Sequence, residues 1–580
     1  RLTNSTITLG IGGNLDIQGG IFVSQNAALT STLNITGNML VSGSGSYSGI
    51  TTSGGFTTIN LGGNLDVANT ATFTNLTSNT STAVTFNFTG VGKYMTVASG
   101  MPTQGFSFAM ATVGASLTVN SPVIVGTSRT FNITAGTVIL GTNRISGNGS
   151  FSISGTNSYL SQGDPDGLVV AIASPLGAIR TLAARTYAAN ANYIYTGSTQ
   201  VLGTPIAAPP FVCNSLGINA PGGVVTLTQN VNATTNLQLS NGILDLANFN
   251  LGLLNTSNTL AVTGNAPSSS NMVVTSGTGR LIKTYAAGAQ ATFTYPLGDN
   301  TGTAEYSPAS ITFSALGAGT LGLQVKNAAH PNLGAPSDYL NRYWSFGNST
   351  ISAYTYTAAF TYAAADVVGL PGAMNAARWD GSLWNPLNAT TGGNVLTITS
   401  SPLNNTTSPL AATSDFTGRV TPFVYYFRSI QSGNWSDVNT WEVAYDAAFT
   451  TPIWPAPFAP DDANSASVLV RSGHVVTVTA NTSVDQFSMD NTATTTLTIN
   501  SGVTFTLKDG TGNDFTGAGA SARININGTY VNQGVQAGTM PTVVVGATGV
   551  YNHNQNGGTV YIATWNAASE CLITGTTTTT

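Results

Sequence analysis

LTINSGVTFTL, residues 497–507, alternates apolar and polar side chains on both sides of a turn: Leu497 and Ile499 precede Asn500, Ser501 and Gly502, and Val503, Phe505 and Leu507 follow them. Period-two alternation in runs this short, closed by Asn and Gly, is the pattern of half-buried β-strands joined by tight corners. The same cadence appears upstream at Val476 and Val478. It recurs at Leu237 and Leu239, Leu244 and Leu246, and Phe249, Leu251 and Leu253, where "SNG" and "AN" separate the runs. Strands of three to five residues at this spacing predict a coil of stacked rungs.

An internal echo supports stacking. GNLDI at 13–17 returns as GNLDV at 63–67, preceded by ITLG and INLG respectively. Self-similarity of this kind marks a solenoid, in which one unit buries its apolar face only against its neighbours. Small polar side chains repeated on successive rungs can hydrogen-bond along the outside, where charges would repel.

Composition agrees. Of 580 residues 41% are hydrophobic but only 6% charged, and 66 are Gly. Thr, Ser, Asn and Gly replace the missing charge, which argues against disorder and for many short β-branched strands. The net charge is −5, with no Lys/Arg cluster to displace counterions from a phosphate backbone, so nucleic acid is not an expected partner. No apolar run is long enough for a membrane-spanning helix. Arg1 and the closing threonines carry neither a leader nor a natural terminus, so the chain reads as part of a longer polypeptide. Two cysteines, Cys213 and Cys571, cannot frame a disulfide scaffold; they read as small buried strand residues, or else as a disulfide or metal pair.

Residues 266–420 read differently. GRLIKTY, ATFTYPLGD, ASITFSA, LGLQVKN and LNRYWSF have longer strands and more aromatics, as in a two-sheet sandwich, and RWDGSLWNPL reads as a hairpin turning at Asp380-Gly381. AAFTYAAADVV, 358–368, is the best helical candidate and reads equally well as strand. The expected fold is therefore all-β: parallel β-solenoid (β-helix) segments with an intervening antiparallel β-sandwich. The expected divisions are a solenoid over 1–160, its continuation with an irregular insertion over 161–265, the sandwich over 266–420, with Pro422 near the boundary, and the start of another solenoid over 421–580.

Several stretches resemble a known family. YYFRSIQSGNWSDVNTWE (425–442), RSGHVVTVTANTSVDQF (471–487), LTINSGVTFTL and YNHNQNGGTVYIATWNAASECLITG (551–575) resemble the recurring modules of giant cell-surface proteins of Bacteroidota exported by the type IX secretion system. SGTGRLIKTY, YPLGDNTGTAEYSP, DYLNRYWSF and SDFTG fit the same pattern, so the resemblance covers most of the chain; residues 432–507 are also similar to the eight-glycine domain of some carbohydrate-related extracellular proteins. The resemblance implies an extracellular adhesin, stalk or filament segment, with 1–420 the later part of one large repeat and 421–580 the start of the next. It implies outer-membrane secretion and attachment machinery as partner, with surface glycans or neighbouring copies in a filament as further partners. It brings no catalytic motif and no sorting domain.

Candidate sites follow from residue chemistry. Trp435 and Trp441 could stack on pyranose rings, or they could cover the open end of a first rung. Calcium is the candidate cofactor. KDGTGNDF, with Asp509 and Asp514, partly matches a calcium-binding β-roll turn, and GDPDG places Asp164 and Asp166 on one tight turn; ordinary Asp-Gly turn chemistry accounts for both equally. Trp379 and Trp384 read as hairpin packing. His330, His474 and His553 are scattered, and His474 reads as a turn residue bonding backbone. No H-E-x-x-H, G-x-S-x-G or phosphate-binding loop occurs, so the expectation is a non-enzymatic protein, with a glycan-binding module or a β-helical polysaccharide-active enzyme as alternatives. Sequons at Asn34, Asn87, Asn132 and Asn232 are what so much Asn, Ser and Thr generates without selection.

Overall fold

A computed structural model describes residues 7–576 apart from 26–29, 51–54, 76–82, 100–101, 334–337, 370–373, 382–383, 400–402, 412–413, 421–424, 445–446, 450–451 and 457. Arg1, Pro422 and the threonines at 577–580 lie outside the described residues. The chain is all-β, with only short 3-10 turns among the described residues. By internal contacts it forms two compact units: Arg1–Ala329, Leu340–Val367 and Leu387–Thr417 make the first, and His330–Tyr339, Val368–Pro386 and Gly418–Thr580 the second.

The first unit begins as a parallel solenoid. Ile7–Ile11, Thr30–Ile35, Phe56–Leu61 and Ala83–Phe88 pair in succession and in register, continuing into Phe106–Val119 and Thr130–Ile139. A second column stacks Leu15–Ile17, Met39–Val41 and Leu65–Val67, and a third stacks Ile21–Gln25, Ser46–Ile50 and Thr72–Thr74. Inward residues align from rung to rung. Phe86, Phe108, Phe131 and Phe151 share one register column with ring centroids 5.7–6.2 Å apart. Burying these rings between rungs is the main stabilising term, since a lone rung leaves them in water.

The GN turn shows why the echo exists. Asn14, Asn38 and Asn64 each accept from a backbone N–H on the following rung, at Asn38, Asn64 and Tyr94. A Cβ on Gly63 would lie 2.3 Å from the Gly37 backbone, so the turns stack backbone on backbone and only Gly fits.

On the outer face a side-chain ladder runs along the stack. Asn60 Nδ2 donates to Asn34 Oδ1 at 2.8 Å and Asn87 Nδ2 to Asn60 Oδ1 at 2.9 Å. It stops at the next rung, where the facing residue is Ala109, and Asn87 Oδ1 is left without a donor among the described residues. Beyond Ala109, Asn132 faces the same column and accepts from Ser152 Oγ at 2.7 Å. Ala109→Asn should join the two halves and raise stability by about 1 kcal/mol, the usual net gain of a hydrogen bond. Urea unfolding checks this, and an unchanged or lowered midpoint would count against the ladder as a source of stability.

The register column that carries the phenylalanines ends at Arg185, which sits opposite Phe151. Its buried guanidinium donates to the carbonyls of Thr181, Val169, Ile172 and Ser174 at 2.8–3.2 Å, anchoring the irregular excursion that leaves the stack after Val169.

Parallel pairing continues past 265, through Asn271–Val274 on the preceding rung and Leu281–Tyr285 on Leu251–Leu253. At Leu281–Tyr285 the direction changes: its other edge pairs antiparallel with Gly319–Lys326, which pairs antiparallel with Tyr343–Gly347. A second antiparallel sheet of Gln290–Tyr295, Ala309–Gly317, Ser352–Thr361, Val395–Ile398 and Ala389–Gly392 faces it. Tyr285 meets Phe313 at 5.2 Å and Trp344 meets Phe360 at 4.9 Å across the gap, which makes the sandwich. The 358–368 stretch ends this sheet as strand to Thr361 and then forms a 3-10 turn over Ala364–Asp366.

Inside the sandwich, Lys283 is fully buried. Its Nζ donates to the Asn255 carbonyl at 2.8 Å and lies 4.8 Å from the Tyr285 ring centroid. Burial without a carboxylate pushes the ammonium down to about 8. The unfolded chain, with an ordinary lysine near 10.4, binds the extra proton above pH 8, so this group makes stability rise with pH from there. Wild type should gain about 2 kcal/mol between pH 7.5 and 9.5 relative to Lys283→Met. Parallel pH dependences of the two proteins would refute the assignment. The comparison stops at pH 9.5 because tyrosines of the unfolded chain ionise beyond it.

In the second unit three parallel sheets form the sides of another solenoid. Tyr425–Ser429, Ser465–Val470, Phe487–Met489, Phe515–Ala518 and Gln536–Thr539 make one. Val475–Val478, Thr496–Ile499, Arg523–Ile526 and Thr542–Val545 make the next. Thr482–Val484, Thr504–Leu507, Thr529–Asn532 and Val550–Asn554 make the third. LTINSGVTFTL thus spans two sides and the corner between them, where Gly502 takes φ +78°, open to glycine and strained for other residues.

Candidate functional site

Trp435 and Trp441 are 2% and 0% exposed. Trp441–Ala444 pairs antiparallel along the outer edge of Tyr425–Ser429 and so covers the first rung. The Trp435 ring fills the interior below it, 5.0 Å from Trp441, 5.3 Å from Phe505 and 5.9 Å from Phe487. Both indole N–H groups are consumed inside: Trp435 donates to the Pro460 carbonyl at 2.9 Å, and Trp441 to the Trp435 carbonyl at 2.8 Å. Neither ring presents a face to a sugar, so the stacking expectation at these two positions is corrected in favour of the end-covering one. The six-residue spacing suggests one strand face; instead Asp437 starts a 3-10 turn over Val438–Thr440 that folds the second tryptophan back over the first.

The four aspartates are arranged for turns and ion pairs. Asp164 is buried, with Arg144 Nε 2.6 Å from Oδ2, Arg180 Nη2 at 3.8 Å, and the Asp166 N–H donating to Oδ1 at 3.0 Å. Asp166 pairs with Arg180 at 3.9 Å. These guanidiniums already supply the positive charge that a divalent cation would bring. Asp509 is exposed, whereas Asp514 is buried and accepts from the Gly510 and Val535 N–H groups at 2.9 and 2.6 Å. The two carboxylates of KDGTGNDF are thus not brought to one point, because Asp514 is spent closing its own turn. Among the described residues no three His, Cys, Asp or Glu side chains converge as a metal group.

Further ionisable groups pair internally. Arg342 is fully buried; its Nε and Nη2 hold the Asp366 carboxylate at 2.6 and 3.1 Å, and Nη2 also donates to Glu305. Arg428 pairs with Glu442, which Arg471 approaches at 3.8 Å. His474, read as bonding backbone, bonds the Ser429 backbone and also has Nδ1 2.8 Å from the Ser429 hydroxyl, while burial beside Arg471 holds its pKa below the ordinary histidine value. His553 Nε2 meets the Gly557 carbonyl at 2.7 Å, and His330 packs 4.8 Å from Trp384, which in turn meets Trp379 at 5.4 Å. Both cysteines lie in strands and are free; Cys213 is buried, but Cys571 is exposed, contrary to expectation. Its strand, Glu570–Thr574, is exposed at every position and pairs only with Val550–Asn554 among the described residues.

Sequence reasoning passed over Trp454. It is 55% exposed, among the exposed prolines Pro452 and Pro455. Its segment is tied down on both sides, since Ile453 exchanges hydrogen bonds with Val443 at 2.8 and 3.0 Å and the Ala456 N–H donates to the Trp441 carbonyl at 3.0 Å. Its Nε1–H donates to the Asn439 carbonyl at 3.0 Å. The signal was present: TPIWPAPFAP contains a tryptophan with no period-two partner, between prolines that cannot join a ladder.

Among the described residues no helix is long and apolar enough to cross a membrane. No family model, curated protein or solved structure matches the chain.

Proposed function

We propose that the chain is a non-enzymatic segment of a large secreted cell-surface repeat protein, acting as adhesin, stalk or filament scaffold. The observation that supports this most is the in-register parallel stacking of short strands in both units, fixed by aligned apolar columns and by side-chain ladders on the outside. Such stacks resist deformation along the strand-to-strand direction through many small contacts, which suits a spacer. The use of charge points the same way: the carboxylates of Asp164, Asp366, Glu305 and Glu442 neutralise arginines within the fold. Calcium has no part in this reading, because arginines serve Asp164 and Asp166, backbone N–H groups serve Asp514, and the exposed Asp509 is not joined to them. Export by the type IX route and attachment at the outer membrane rest on the resemblance of the modules at 425–442 and 471–507.

An antibody against the purified chain should label intact, unpermeabilised producing cells, and external protease should remove the label. Labelling only after permeabilisation would overturn the surface assignment.

A further inference from the structure

We propose that Trp454 and the turn beneath it form a glycan-binding platform that takes a pyranose ring of a neutral polysaccharide. Three observations in the second unit carry this. First, more than half of the Trp454 surface is open although its neighbours in sequence are tied into the fold, so a large apolar ring is held in water by a backbone that could not easily withdraw it.

Second, the ring is fixed in orientation. The hydrogen bond from Nε1 to the Asn439 carbonyl pins one edge, and Gln431 Nε2 donates to the same carbonyl at 2.9 Å. A ring immobilised beforehand loses little entropy when a flat partner stacks on it.

Third, the turn that the indole N–H bonds is polar and rich in acceptors. Gln431, Asn434, Ser436, Asp437 and Asn439 are all exposed. Asp437 Oδ1 accepts from the N–H and Nδ2 of Asn439 at 3.0 and 2.9 Å, while Asp437 Oδ2 and Asn439 Oδ1 have no donor among the described residues. An apolar ring face bordered by a carboxylate and an amide oxygen matches a sugar, whose C–H face packs on indole and whose hydroxyls donate to such acceptors. A protein partner would instead call for a wider apolar centre than one indole between Pro452 and Pro455 offers.

The platform goes beyond the scaffold reading and does not depend on it, because a surface rod without glycan affinity would still be a rod. The test is affinity electrophoresis of the full chain through gels containing laminarin, xylan, galactomannan or dextran. Retardation by at least one polymer is expected, with Kd raised at least tenfold by Trp454→Ala, several-fold by Asp437→Asn, and little by Trp454→Tyr, which keeps a stacking ring. The exposed position makes Trp454→Ala a folded control, confirmed by an unchanged melting curve. Absence of retardation by all four polymers, or retardation that Trp454→Ala leaves intact, would overturn the proposal.

Discussion

Trp441→Ala should cost the second unit about 3–5 kcal/mol, the range for deleting a buried Trp side chain from a core that cannot collapse around the gap. The loss has two parts. The indole is fully buried against Trp435, so its removal opens a cavity where the first rung is covered, and it leaves the Trp435 carbonyl without its donor. Trp441→Phe should recover most of the packing and none of the hydrogen bond, and so lie between wild type and alanine. Denaturant unfolding followed by near-ultraviolet circular dichroism reports this directly, since the two rings lie face to edge. A loss below about 1 kcal/mol would mean that the first rung is covered by something else.

Arg342→Ala should be comparably severe in the first unit, for an electrostatic reason. The guanidinium is the shared partner of Asp366 and Glu305, and deleting one member of a buried ion network costs about 3–5 kcal/mol because the remaining charges stay desolvated. Burial already holds the Glu305 carboxyl above its usual range, with Asp366 adding to the effect and Arg342 opposing it. Without Arg342 the Glu305 carboxyl should retain its proton at higher pH, so the variant's deficit should shrink as the solution is acidified. Adding Asp366→Asn and Glu305→Gln to Arg342→Met should recover much of the loss at neutral pH. A single variant as stable as wild type, or a triple variant no better than the single, would show that the network is not what secures the turn at Ala364–Asp366.

The sequence disclosed stacking but not the length of its unit. GNLDI and GNLDV lie two rungs apart, and the rung between them is GNMLV, where Met39 and Leu40 pair with both neighbours. The intermediate copy was illegible because the outward Asp of the echo is Leu there, and outward positions tolerate almost anything. The inward positions were readable: Leu497, Ile499, Phe505 and Leu507 are all buried, as their alternation requires. What could not be read was every feature made by residues distant in sequence. Arg144 reaches Asp164 and Ser429 reaches His474 through rung geometry, and Arg342 reaches Glu305 through antiparallel pairing, none of which a local pattern encodes. Candidate sites therefore failed where they rested on local spacing. The Trp435 and Trp441 rings do meet, but a 3-10 turn rather than a strand joins them, and the turn decides that they face inward.

The Asn ladder links residues 26 and 27 positions apart, and the backbone pairs between rungs have the same short reach. Each rung of the solenoids needs only its predecessor as template, so the closure entropy for each addition is that of one small loop. A chain with this wiring can fold from one end as it is released, each finished turn seeding the next. Misfolding is then confined to the growing edge, and a partly emerged polypeptide already has a native end to build on.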